Sequence, residues 1–258
     1  MRKDFNNKPG AKKSGDEWIW GRHSLEACTD CNPELIQEVF FEKHAAKRNE
    51  DLRIKLDKAG LKVNLVEKLP RLLEERRTQG LAAKIKKFPS QHFDSQDPLF
   101  FDHENQGILI DRVQDPQNYG AILRSAAALN AAFVIVGVRE QCPLNGTVAQ
   151  VSAGNLFRVK IFTALNVAKA ALDLKENGYQ VFALESEGDT LNDKFLQKAE
   201  TKKFVWVVGS EEEGIQSAVI KAATRKVGIP MKAGVESLNV SNSAAIALYL
   251  GSQAIDSK

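Results

Sequence analysis

From Gly107 to the C-terminus, short apolar runs alternate with longer stretches of helical periodicity. The runs are ILIDRV, AFVIVGV, RVKIF, YQVFAL, KFVWVVG and KVGIP; residues 119–130, LNVAKAALDLKENG and IQSAVIKAA carry the helical period between them. Strands apolar on both faces, interleaved with helices, predict a parallel sheet covered on both sides. The expected fold class is α/β, with this sheet domain over residues 107–258. Its last stretch, IPMKAGVESLNVSNSAAIALYLGS, joins a strand end, a polar loop and a long apolar helix. In that loop Ser237, Asn239 and Ser241 alternate with Leu238 and Val240, which in an extended segment sends polar and apolar groups to opposite sides. Ser241 or Asn242 suffices to cap the helix, so Ser237 and Asn239 are left over.

Residues 16–90 predict a second, small α/β domain of ordinary size. GRHSLEAC reads as a helix, LIQEVFF as a strand, and a charged amphipathic helix runs on to about Lys58. The strand LKVNLV, a short helix after Pro70 and the strand in TQGLAAKI complete it. Residues 91–106 lack a period and read as a linker, pinned by Phe100 and Phe101. Residues 1–15 hold five basic residues around a lone Phe5 and are expected to be a disordered basic tail.

Charge changes this picture modestly. Residues 1–95 hold 20 Lys and Arg against 15 Asp and Glu, and residues 96–258 hold 16 against 18. A basic front half argues for a polyanionic partner, nucleic acid first, although solvated helix faces give the same excess. No apolar run reaches the roughly 18–20 residues that span a bilayer, and the N-terminus has no apolar core of a secretory signal. Three cysteines without a framework spacing suit a reducing, cytoplasmic setting. Cys28 and Cys31 form a lone CxxC; a structural zinc site wants a second pair, so no metal is expected.

Ligands of open α/β sheets bind beyond the carboxyl ends of the strands, and three loops there carry polar residues. In DRVQDPQNYGAILRSAAALN, Asp115 and Pro116 make a turn, Asn118 sits at a helix start and Arg124 lies one to two turns in. Such an arginine either snorkels to solvent or points into a cleft. In VVGSEEEGI, Gly209 and Gly214 bracket Ser210 and three glutamates. Glutamates there complement a helix dipole, but they repel a phosphate and suit a ligand with cationic, amine or hydroxyl groups. Neither a P-loop nor a dinucleotide fingerprint is present.

In order and spacing, NYGAILRSA, GSEEEGI and IPMKAGVESLNVSNSAA resemble the three motifs of the SpoU/TrmH family of S-adenosyl-L-methionine-dependent RNA 2′-O-ribose methyltransferases (SPOUT class). GRHSLEAC and TQGLAAKI are similar to the two ends of that family's substrate-binding extension. The resemblance implies a trefoil knot in the C-terminal domain, an RNA-binding N-terminal domain, and a homodimer with active sites near its interface. By position it implies that Asn118, Arg124, Glu211, Ser237 and Asn239 are catalytic, and that Leu184, Gly209, Ile229 and Leu238 line the cofactor pocket. Two departures lie beside the third motif: Lys232 and Ala233 precede Gly234, and Asn242 and Ser243 follow Ser241.

The implied reaction is methylation of a ribose 2′-hydroxyl, with a guanosine of large-subunit ribosomal RNA as the expected target. Transfer RNA is the alternative substrate, and an RNA-binding protein without catalysis the alternative class. Arg124 and Asn118 are expected to position the hydroxyl and adjacent phosphate, and Glu211 to orient Arg124 or its neighbours. A guanidinium keeps its proton at physiological pH, so stabilising a developing alkoxide is an easier task for Arg124 than general base.

Overall fold

The computed structural model describes residues 17–100, 105–199 and 201–256. The tail expected over residues 1–15, and Phe101, lie outside the described residues. The first sheet is built from β1 (Glu17–Trp20), β2 (Ile36–Glu42), β3 (Val63–Val66) and β4 (Leu81–Ile85) in the order β1-β4-β2-β3. Its β1/β4 and β4/β2 pairs are antiparallel, and β2/β3 is parallel. Helix α1 (Arg22–Cys31) follows β1, and α2 (Lys43–Ala46) and α3 (Glu50–Lys58) replace the one charged helix expected there, separated by a short 3₁₀ turn. Cys28 is fully buried in α1, where burial pushes its thiol up to about 12, while Cys31 is exposed.

The second sheet has seven strands, every pairing parallel: β5 (Gln91–His92), β6 (Gln106–Ile110), β7 (Phe133–Gly137), β8 (Ile161–Ala164), β9 (Gln180–Thr190), β10 (Phe204–Val208) and β11 (Arg225–Gly228). The spatial order is β11-β9-β10-β6-β7-β8-β5. Helices α4 (Pro116–Ala128), α5 (Gly146–Val151), α6 (Val167–Glu176), α7 (Asp193–Gln197), α8 (Ser217–Ala222) and α9 (Val240–Asp256) connect and cover it. Every residue of β6, β7 and β10 is buried, as near-continuous apolar strands require. The expected linker contributes β5 to this sheet, and Phe100 is fully buried against Phe133 and Phe162. Gln106 is the buried polar exception in β6. Its Nε2 donates to Leu129 O and Leu248 O at 2.9 Å each, and its Oε1 accepts from Trp206 Nε1 at 3.0 Å. It thereby satisfies its own groups and ties α9 to the sheet.

The two sheets share one continuous apolar core that includes Ile19, Leu25, Ile122 and Val148. Trp20 Nε1 donates to Gln150 Oε1 at 2.9 Å, and Gln150 Nε2 donates to Arg77 O at 2.8 Å. A Cβ on Gly146 would lie 2.1 Å from the Trp20 ring, so only glycine admits this approach. Among the described residues, no helix is long and apolar enough to cross a membrane.

Candidate active site

The order of the second sheet reverses between β6 and β10: β7 and β8 continue to one side, β9 and β11 to the other. Such a switch point leaves a crevice at the strands' carboxyl ends, and the loops after β6 and β10 meet there. The loop after β6 leads into α4, capped by Asp115, whose Oδ1 accepts from Gln117 N at 2.9 Å, with Pro116 as the first helical residue. Helix α4 thus starts three residues before the expected Tyr119, and Asn118 lies within its first turn, 7% exposed. The loop after β10 is a tight turn closed by Ser210 and Gly214, which exchange backbone hydrogen bonds of 3.1 and 3.0 Å. Gly214 has φ +65°, and a Cβ on Gly209 would lie 2.2 Å from the Gly214 carbonyl carbon. The glycines bracketing the glutamates therefore make the turn itself.

Three side chains close a triangle across this crevice. Glu211 Oε1 accepts from Asn118 Nδ2 and, at 3.0 Å, from Asn239 Nδ2; Asn239 Nδ2 also lies 2.9 Å from Asn118 Oδ1. The amide orientations follow from one fixed donor. Ser241 N donates to Asn239 Oδ1 at 2.9 Å, and a backbone N–H only donates, so the other end of that amide must be nitrogen. Asn118 must then present oxygen to Asn239 and nitrogen to Glu211. Asn239 caps α9 through the same Ser241 contact, and Ser241 Oγ adds a 2.6 Å bond. The expectation that Ser241 or Asn242 caps this helix is replaced: Asn239 caps with its oxygen and joins the triangle with its nitrogen.

Beside the triangle opens a cavity of about 370 Å³, within the ~300–1,000 Å³ typical of small-molecule sites. Leu184, Gly209, Ile229 and Leu238 all line it, together with Ser237, Asn239 and Glu211. Its walls carry the carboxylates of Glu185 and Glu211 and no basic side chain among the described residues. Apolar walls with two acids fit a molecule that joins an apolar ring to a cationic group.

The family model of the SpoU rRNA methylases matches residues 105–249, and the model described as RNA 2′-O ribose methyltransferase substrate binding matches residues 18–91. The chain belongs to the SpoU rRNA methylase family. It is 30% identical over 239 residues to the 23S rRNA (guanosine-2′-O-)-methyltransferase RlmB of Nitrosomonas europaea, covering 90% of each chain. It is 31% identical to the protein of the same name from Escherichia coli K12, covering 90% of this chain and 96% of that one. In fold it is similar to the SpoU methyltransferase AviRb of Streptomyces viridochromogenes, solved in complex with AdoMet. That match has a TM-score of 0.76 at 20% identity and covers 96% of this chain and 94% of that one.

Within this SpoU chain Arg124 stands apart from the triangle. It lies six residues beyond Asn118 on α4, about 120° away around the helix axis, and is exposed, its side chain without a hydrogen bond or ion pair to any described residue. Within the chain, Glu211 bonds Asn118 and Asn239 and makes no bond to Arg124. Of the two departures, Lys232 and Ala233 enter an exposed turn, Val235 N to Lys232 O at 3.2 Å, with Gly234 at φ +89°. Ser243 lies half-buried in the first turn of α9 and lines the cavity. Sequence reasoning missed Asp111, fully buried, whose carboxylate accepts from Gln216 N at 2.7 Å and Gln216 Nε2 at 2.9 Å. An aspartate directly after an apolar strand was its one available signal.

Proposed function

We propose that this protein transfers the methyl group of S-adenosyl-L-methionine to the 2′-hydroxyl of a guanosine in 23S ribosomal RNA. The observation that carries this reading is the triangle of Asn118, Glu211 and Asn239 at the mouth of the cavity. The relatives at 30 and 31% identity, both named for that guanosine modification, supply the substrate. Leu184, Gly209, Ile229 and Leu238 would hold the cofactor, with Glu185 and Glu211 answering its positive charge. Once bound there, the sulfonium supplies a methyl group already activated for displacement.

What remains for the chain is alignment and charge stabilisation, and alignment alone contributes up to ~7–11 kcal/mol in ideal cases. Asn118, locked by Glu211 and Asn239, holds the target ribose or its phosphate. Ser237, exposed at the cavity rim, hydrogen-bonds the nucleotide or the amino-acid end of the cofactor. Arg124 offers a guanidinium to the developing alkoxide and adjacent phosphate. Because it faces away from its own triangle, it serves the active site of a second copy. The homodimer is further supported by α9: its buried residues face the sheet, yet Ile246 is only half-buried and Tyr249 is 53% exposed. An apolar helix of this kind wants cover on its second face.

Residues 16–90 form the RNA-binding unit, their basic balance supplying phosphate contacts, and residues 107–258 the methyltransferase unit. The trefoil knot that the three motifs imply would be made by the C-terminal segment, from Ile229 onward, threading through a loop of the second sheet. A ribosomal RNA substrate and free cysteines suit the cytoplasm. Purified protein with methyl-labelled cofactor should label 23S rRNA and leave transfer RNA unlabelled. Label in transfer RNA alone would replace the substrate, and failure to bind the cofactor would replace the function with RNA binding.

A further inference from the structure

The first residue after the buried Asp111 is Arg112, which adopts φ +63°, a left-handed backbone conformation that glycine accepts and an arginine resists. Its side chain is nevertheless drawn inward, with 14% exposure, against two long carboxylates that are 65% and 69% exposed. Arg112 Nη1 donates to Glu213 and lies 3.7 Å from Glu140 Oε2, while Nε lies 3.8 Å from Asp111 Oδ1. That Nε is buried and has no hydrogen-bond partner. A strained backbone and an unsatisfied buried donor both cost stability, so packing alone gives no reason for arginine at this position.

The groups it joins give one. Glu213 stands two residues after Glu211 in the turn closed by Ser210 and Gly214, and its own amide donates to Ser210 Oγ at 3.1 Å. Asp111 grips the far end of the same loop through Gln216. Residues 111 and 112 thus hold the loop at Gln216 and Glu213, while Glu140 anchors the guanidinium from the segment after β7. Arg112, Glu140, Glu213 and Glu211 line a second cavity with Asp115 and Asn118, which adjoins the first at Ser210 and Glu211. Glu213 and Glu211 thus belong to one closed turn, Ser210 to Gly214.

We propose that Arg112 is a positioning residue for methyl transfer: through Glu213 it fixes the 210–214 turn so that Glu211 meets Asn118 and Asn239. This rests on the methyltransferase reading of that site. The test compares full-length Arg112→Gly, Arg112→Lys, Glu213→Ala and the Arg112→Gly/Glu213→Ala double variant with wild type. Readouts are melting temperature, kcat and KM for RNA, and the side-chain amide resonances of Asn118 and Asn239 in the cofactor-free protein.

Arg112→Gly relieves the backbone strain, so its melting temperature should equal or exceed that of wild type. Its kcat should fall tenfold or more with KM within twofold, and both amide pairs should shift or broaden. Arg112→Lys should recover part of kcat, and the double variant should lose no more than the worse single one. Wild-type kcat or unshifted amide resonances in Arg112→Gly would overturn the proposal, as would additive losses in the double variant. A wild-type protein that transfers no methyl group would instead sink the functional reading, and the resonances would still decide whether Arg112 orients the triangle.

Discussion

Asn239 Nδ2 lies 2.9 Å from Asn118 Oδ1, although 121 positions separate the two residues. One asparagine starts α9 and the other lies in the first turn of α4, so the contact fixes the two helix starts against each other. Glu211 receives a nitrogen from each. The arrangement allows cap and site to be separated by substitution. Serine caps a helix about as well as asparagine, whereas alanine costs about 1 kcal/mol. Asn239→Ser keeps the cap, so it should lower the melting temperature less than Asn239→Ala does. Both leave Glu211 and Asn118 short of a partner, a loss of about 1–3 kcal/mol, so both should lower kcat by roughly tenfold or more. Wild-type turnover in Asn239→Ser would reduce Asn239 to a cap.

How much of this was legible in the sequence differs between elements. The runs in β6, β7 and β10 are apolar on both faces, and that pattern has no competing reading at their length. β1 was missed because Trp18 and Trp20 sit in four residues, too few to establish a period. α5 was missed because only valines and alanine mark its apolar face, although Asn145, which accepts from Thr147 N and Val148 N, was a capping signal in plain view. The polar second half of β9 pairs with β11 across a register irregularity, which an alternation count does not detect. All four proposed cofactor residues line one cavity, yet the motif alone gave no hint that Arg124 points away from the triangle. Helix phase decides that, and it needed the true start of α4.

Arg124 provides the next prediction. It is exposed and its side chain forms no hydrogen bond or ion pair with a described residue, so Arg124→Ala should leave melting temperature and cofactor affinity unchanged. Loss of one charged donor at a developing oxyanion should cost about 10²–10³ in kcat. Mixing Arg124→Ala with a Glu211→Ala variant tests the second-copy arrangement, because heterodimers would regain one intact site. Absence of any regained activity in verified heterodimers would place Arg124 on its own chain's site.

The junction of the two sheets should behave as part of the core rather than as a hinge. Removal of a packed tryptophan costs ~3–5 kcal/mol, so Trp20→Ala should lower the stability of the whole chain by that order in chemical denaturation. Gly146→Ala forces its methyl into the Trp20 ring and should reduce RNA methylation while sparing cofactor affinity. Unchanged stability in Trp20→Ala would mean that the front unit is not held by this contact.

Asp30 gives the junction a pH signature. Its hydrogen bonds with Lys55, and then with Arg158 across the junction at 3.2 Å, hold its carboxyl below the usual range. A depressed acid contributes stability above its unfolded pKa of about 3.9 and loses it as pH falls through the lower folded value. The melting-temperature gap between wild type and Asp30→Asn should therefore be constant at neutral pH and close below about pH 4. Since the group is exposed, the gap should be small. A gap that persists at pH 2 would contradict the ion-pair origin.

The central claim is tested most directly by incubating the purified protein with 23S rRNA and S-adenosylmethionine carrying a deuterated methyl group, then digesting to nucleosides for mass spectrometry. The expected product is 2′-O-methylguanosine bearing the label on its ribose. Label on a base, or on no nucleoside at all, would contradict the account.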